Sequence, residues 1–224
     1  MIIMPKRRII LANNEIYHIY NKSVANEEIF GNKRNINFTL KLINYYRYPQ
    51  KLRFSKFKIL GSDARKTYWE GVLTKNPFVE IFAYSILPNH YHLLLKQLSD
   101  NGIRKFIANF QNSFAKYFNI KYDRRGSLFL NAFRGKRVDN DNILLHVSRY
   151  IHLNPVTSYL INLHELENEA TTSFPIYMGK KYLEFVNPEL IWGIMGSKEK
   201  YKKFVFDQED YQKRLSIIKS FIQR

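Results

Sequence analysis

The chain has 224 residues, 45% of them hydrophobic, enough for one well-packed domain with additions. It has no cysteine, which excludes disulfides and thiolate metal sites, and no charged-then-apolar leader or run of about 20 apolar residues, so a cytoplasmic protein without a membrane segment is expected. The 36 Lys and Arg against 19 Asp and Glu give a net charge of +17 and favour a polyanionic partner, nucleic acid first. A membrane surface fits less well, because the basic residues are spread along the chain rather than gathered on one amphipathic helix.

Glu15 to Ser23 reads as a first strand rich in Ile and Tyr, and Ile36, Leu40, Ile43 and Tyr46 then recur at helical spacing. Residues 48–78 are basic and without clean periodicity, which reads as an extended loop, either touching phosphate or simply solvated. Val79 to Leu87 and His90 to Lys96 form two strands punctuated by Pro88-Asn89. Ile103, Phe106, Ile107, Phe110, Phe114 and Phe118 mark an amphipathic helix with Asp100 or Asn101 as its cap. Gly126 to Arg137 gives a turn and a fourth extended segment, so the order is β-α-β-β-α-β. This order predicts an α+β fold: a ferredoxin-like antiparallel sheet with helices on one face. A further helix starts near Asn140 and runs to Pro155; helical stretches follow at Pro188 to Met195, Lys198 to Phe204 and Glu209 to Ile222. The expected division is a domain over 1–158 and a C-terminal helical addition over 159–224.

His90 and His92 lie two apart in a strand, so both imidazoles share one sheet face while Tyr91 points the other way. They are either a ligand pair for one metal ion or ordinary strand histidines. Tyr150 and Asn154 lie one helical turn apart. A phenol there can attack phosphorus and an amide oxygen can complete a metal shell; the plain alternative is a core Tyr and a helix-ending Asn. His146, one turn before Tyr150, is the candidate base, with a surface or core histidine as the alternative. His152 is a weaker candidate for that role, and His18 reads as a packed strand histidine. From Arg104 to Arg137 there are nine Lys or Arg against one acid, Asp123. Arg104, Lys105, Arg124, Arg125, Arg134, Lys136 and Arg137 are the named phosphate-binding candidates. Phe129 and Phe133 either stack on unpaired bases or pack under the sheet.

Five blocks occur together: Tyr17-His18-Ile19-Tyr20-Asn21, Glu28-Ile29-Phe30, Leu87-Pro88-Asn89-His90-Tyr91-His92-Leu93-Leu94, Arg125-Gly126-Ser127-Leu128-Phe129, and Arg149-Tyr150-Ile151-His152-Leu153-Asn154-Pro155-Val156. In this order they resemble the HUH endonuclease superfamily, where U is an apolar residue, and within it the single-tyrosine, IS200-like transposases. The C-terminal addition makes the chain most similar to REP-associated tyrosine transposases.

The resemblance implies a single-stranded DNA endonuclease and strand transferase that cleaves hairpin-associated DNA through a 5′-phosphotyrosyl link at Tyr150. It implies His90, His92 and Asn154 as ligands of Mg²⁺ or Mn²⁺, single-stranded or hairpin DNA as partner, and a nucleoid-associated location when bound. It favours a monomer over a domain-swapped dimer. Two other readings of the sequence remain: a non-catalytic single-stranded nucleic-acid binding protein that keeps the ferredoxin-like fold, and a metal-dependent hydrolase in which water attacks and Tyr150 is structural.

Overall fold

The computed structural model describes residues 10–130 and 132–207. Four strands, β1 (Ile16–Lys22), β2 (Val79–Leu87), β3 (His90–Gln97) and β4 (Arg134–Val138), form one sheet in the order β2-β3-β1-β4, every pairing antiparallel. With α1 (Lys33–Tyr46) after β1 and α4 (Gly102–Lys121) after β3, this is the ferredoxin-like arrangement expected from the element order. Pro88 and Asn89 alone join β2 to β3, so Leu87 pairs with His90 and the histidine block starts at the turn.

Alternation along β3 separates two faces. Tyr91, Leu93 and Leu95 meet the layer of α1 and α4, where the Tyr91 ring lies 5.3 Å from Phe110 and its hydroxyl accepts from Gln111 Nε2 at 2.8 Å. Phe129 is buried in this layer against Phe30, Phe110 and Phe114. Full burial of a Phe stabilises by about 1.5–3 kcal/mol, so its ring belongs to the core and not to a base-stacking platform. The other face is covered by α5 (Asp141–Thr157), which lies over β2 and β3 with Leu144, Val147 and Ile151 buried. The sheet therefore carries a second helical layer beyond the expected pair.

Three local expectations are corrected. Residues 48–78 are not an extended loop: they form α2 (Phe54–Lys58) and α3 (Ser62–Leu73), held by aromatic packing of Phe54, Phe57 and Trp69 on Tyr45. Asn101 does occupy the cap position of α4, but in a left-handed conformation without a side-chain cap bond. The buried Gln97 supplies the acceptor instead, its Oε1 taking the Ile103 N–H at 3.2 Å. Pro155 lies inside α5 and does not end it, because backbone bonds Ser158 N to Asn154 O and Leu160 N to Pro155 O close the last turn around the missing donor.

The C-terminal addition contains α6 (Phe174–Tyr177), α7 (Glu189–Met195) and α8 (Lys198–Phe206); the helix expected over Glu209 to Ile222 lies outside the described residues. Residues 171–187 run along the outer edge of β2, with Ile86 N donating to Thr171 O, Ser173 N to Tyr84 O and Asn187 N to Ile81 O. This covers a strand edge that would otherwise present unpaired amides. Among the described residues no helix is long and apolar enough to cross a membrane.

A buried polar chain ties α8 and α5 to that edge. Tyr84 N–H donates to Ser173 Oγ at 2.9 Å, His152 Nε2 lies 2.8 Å from Ser173 Oγ, His152 Nδ1 lies 2.8 Å from the Tyr201 hydroxyl, and Tyr201 lies 2.9 Å from Ser148 Oγ, which donates to Leu145 O. Either neutral tautomer satisfies the chain: Ser173 donates to Nε2 and Nδ1–H to Tyr201, or Ser173 donates to Tyr84 O at 3.4 Å while it accepts from Nε2–H and Tyr201 donates to Nδ1. Both require a neutral imidazole, and burial pushes the His152 pKa down to about 3. This role removes His152 as a base. Tyr201→Phe leaves the buried His152 Nδ1 without its partner and is expected to cost about 1–3 kcal/mol in urea unfolding. An unchanged unfolding midpoint would contradict the chain.

Candidate active site

The β1–β3 register sets Tyr20 opposite His92, Lys22 opposite His90 and His18 opposite Leu94. Directly opposed residues project to the same face, so His18, Tyr20, His90 and His92 share the α5 side of the sheet. His18 and His92 stack within 12° of parallel, and His18 Nε2 meets His92 Nδ1 at 2.9 Å. Tyr20 stacks on both rings, 5.1 Å from His18 and 5.6 Å from His92. The His90 ring stands nearly perpendicular to His92 at 5.1 Å, and its Nδ1 meets Asn89 Oδ1 at 2.6 Å. An amide oxygen only accepts, so His90 carries its proton on Nδ1 and a lone pair on Nε2.

All three imidazoles are held neutral. Burial lowers the His18 pKa to about 3, burial and then Lys22 lower His90 to about 4, and burial followed by His18 and His90 puts His92 well below the usual histidine range. From the opposite side, α5 delivers Tyr150. Its ring meets His92 edge-on at 5.6 Å and His18 at 6.0 Å. Asn154, one turn further, is buried, and its side-chain nitrogen has no hydrogen-bond partner among the described residues.

These residues fit a divalent metal by an observation independent of the motif. Nδ1 of both His90 and His92 is taken by a neighbour, Asn89 or His18, which is how outer partners fix a ligating imidazole. The buried Nε2 of His92 is left without a partner among the described residues. Among the described residues no three His, Cys, Asp or Glu form a group that could hold a metal ion.

The basic candidates divide between faces. On edge strand β4, Lys136 pairs with His18 and Arg134 with Tyr20, which places both on the histidine face. Arg137 pairs with Tyr17 on the other face and is bound by Glu15 at 2.8 Å and Asp139 at 3.4 Å. Such an exposed pair stabilises by only about 0–1 kcal/mol, but it neutralises the charge. Arg124 is likewise bound to Glu27 at 2.8 Å, while Arg125 is exposed in the turn after α4. Arg104 and Lys105 lie on α4, behind the sheet, with Lys105 over the Phe78 ring. The sequence run from 104 to 137 is therefore not one track. His146 packs its ring on Phe204 of α8, 5.3 Å between centroids.

Sequence reasoning missed the supporting roles of His18, Tyr20 and Asn89. The signal for the first two was present, since positions 18 and 20 share strand parity and lie in the strand that pairs with the His-x-His run.

Residues 54–154 match the family model described as "Transposase IS200 like". Over that segment the chain is similar to IS200-like transposases. Its matched segment holds β2, β3, α4 and β4 and ends at Asn154, so it includes His90, His92 and Tyr150. The chain is also similar to a solved structure titled "Structure of the REP associates tyrosine transposase bound to a REP hairpin", with a TM-score of 0.55 and 11% identity over 82% of this chain and 98% of that one. That likeness shows the fold, extends it beyond the matched segment and takes in the ferredoxin-like sheet. No protein of curated function matches the chain.

His18→Phe keeps a ring in the stack but leaves a buried His92 nitrogen unpaired. The expected cost is about 1–3 kcal/mol of stability in metal-free urea unfolding, and equal stability would show that the contact does not hold His92.

Proposed function

We propose that this protein is a transposase that cuts and rejoins single-stranded DNA through Tyr150. The observation that carries the reading is the edge-on seating of Tyr150 against the His18–His92 pair, which brings a nucleophile from α5 to an imidazole from β1 and one from β3. The Tyr150 oxygen attacks the scissile phosphorus, a P–O bond to tyrosine forms, and the bond from phosphorus to the 3′-oxygen breaks. The tyrosine proton leaves to water and the 3′-oxygen takes up a proton, giving a 5′-phosphotyrosyl link and a 3′-hydroxyl that can reverse the step. His90 and His92 through Nε2, with Asn154, would hold Mg²⁺ or Mn²⁺, which supplies positive charge against the phosphate as its negative charge grows. His18 and Asn89 would orient those imidazoles, and burial keeps them neutral. His146 is given no role in proton removal, because its ring packs on α8.

Arg134 and Lys136 flank this site on the same face and would bind phosphates on either side of the cut. The substrate is read as single-stranded or hairpin DNA, supported by the charge of the chain and by the hairpin bound to the structural relative. The reading keeps a monomer over an exchange of tyrosine helices between two copies. Residues 1–158 would carry the chemistry, and the C-terminal addition would brace β2 and α5. In the cell, the reading places the protein in the cytoplasm, on DNA.

Incubation with single-stranded hairpin DNA and Mn²⁺ or Mg²⁺ is expected to give a protein–DNA adduct at Tyr150 by mass spectrometry, absent from Tyr150→Phe. Binding without adduct or cleavage with either metal would favour a binding protein that has kept the fold, and cleavage by Tyr150→Phe would favour attack by water. Arg134→Ala with Lys136→Ala should weaken DNA binding across sequences and reduce the slope of log K against log salt by about 1–2. An unchanged slope would remove β4 from the DNA surface.

A further inference from the structure

The back of the molecule carries a second feature that the phosphotyrosyl chemistry does not use. Between residues 33 and 75 there are 11 Lys or Arg against two acids, Asp63 and Glu70. In this stretch α1, α2 and α3 enclose a groove of about 380 Å³. Its walls include Tyr45, Phe57 and Trp69, and its rim carries one cation from each helix, Lys41, Lys58 and Arg65. No Asp or Glu lines it.

Two observations give the groove a ligand chemistry. First, its three cations are exposed and none forms an ion pair among the described residues, whereas Glu70 lies against Lys66 at 4.0 Å and Asp63 accepts from the Ser62 hydroxyl. Like charges gathered around one opening repel, and an anion placed among them relieves that repulsion. Second, the walls are aromatic and only partly covered. Tyr45 is buried and lies within 15° of parallel to Trp69, but Trp69 and Phe57 remain half-buried with their rings tilted 48° to each other. A ligand that is flat and aromatic at one end and anionic at the other matches both. The volume falls in the range of about 300–1,000 Å³ usual for small-ligand pockets.

We propose that this groove is a second DNA site that takes an unpaired nucleotide of single-stranded DNA, its base against Trp69 and Phe57 and its phosphate among Lys41, Lys58 and Arg65. The proposal rests on the reading that the protein acts on single-stranded DNA. Duplex DNA hides its base faces and an acidic peptide has no ring for the walls, so neither meets both halves of the groove. Because α1 packs on the face opposite the histidines, the nucleotide held here is not the one being cut. It belongs to a flanking stretch of the strand, and the groove would tether that stretch while the sheet's other face works on the scissile phosphate.

The test uses the full chain with a ten-nucleotide single strand lacking any hairpin and carrying 5-bromodeoxyuridine. Ultraviolet crosslinking followed by peptide mass spectrometry should find the base on Trp69 or Phe57. Lys58→Glu with Arg65→Glu, both surface positions whose folding is checked by thermal midpoint, should abolish that crosslink and weaken affinity about tenfold or more. Crosslinks confined to the histidine face, equal crosslinking by a duplex, or displacement by a glutamate-rich peptide as effective as unlabelled single strand would each overturn the proposal. The Tyr150 adduct on hairpin DNA is scored separately. Its loss with the Trp69 crosslink retained sinks the cleavage reading alone, and its presence without that crosslink sinks the groove alone.

Discussion

The antiparallel register of β1 on β3 is the constraint on which the site depends. Side chains alternate with period two, so a slip of one residue would send His92 into the phenylalanine layer and Tyr91 out toward α5. The register is fixed from both sides. Tyr91 is fully buried with its hydroxyl held by Gln111, and His92 is hydrogen-bonded to His18 on the opposite face. The same pairing that buries the core thus aims the histidines. The short Pro88-Asn89 turn then places His90 beside its orienting partner Asn89.

The two faces of the sheet have separate duties. The α1 and α4 layer is packed with aromatic rings, including Phe129, and gives the sheet its stability. The α5 layer is more polar and holds the proposed site, which demands that helix and sheet be locked in phase. The chain from Tyr84 through Ser173, His152 and Tyr201 to Ser148 does this, since it pins α5 to the covered edge of β2 between Tyr150 and Asn154. A buried imidazole with both nitrogens engaged is a rigid strut, and each of its bonds becomes expensive to lose.

Much of this was legible in the sequence because it rests on short-range periodicity. The end of β2 follows from an apolar run stopped at Pro88-Asn89, the phenylalanine stripe of α4 from 3.6-residue spacing, and the shared face of His90 and His92 from strand geometry. What escaped the sequence was tertiary. The pattern of 48–78 looked irregular because α2 and α3 bury few residues, Phe54 and Val72 among them, and so show no wide apolar stripe. His18 looked like plain packing because its partner lies 74 residues away. The run of basic residues from 104 to 137 looked continuous because charge carries no information about which sheet face receives it. Only cross-strand pairing separates Arg134 and Lys136 from Arg137 and from α4.

The claim at the centre of this account is that His18 and Asn89 leave the Nε2 atoms of His92 and His90 open to a metal beside Tyr150. Pulsed electron paramagnetic resonance of Mn²⁺ added to the full chain tests it directly. The account predicts nitrogen couplings from two imidazoles, one removed by His90→Ala and the other by His92→Ala. Bound Mn²⁺ with no imidazole coupling, or couplings that survive both substitutions, would contradict it.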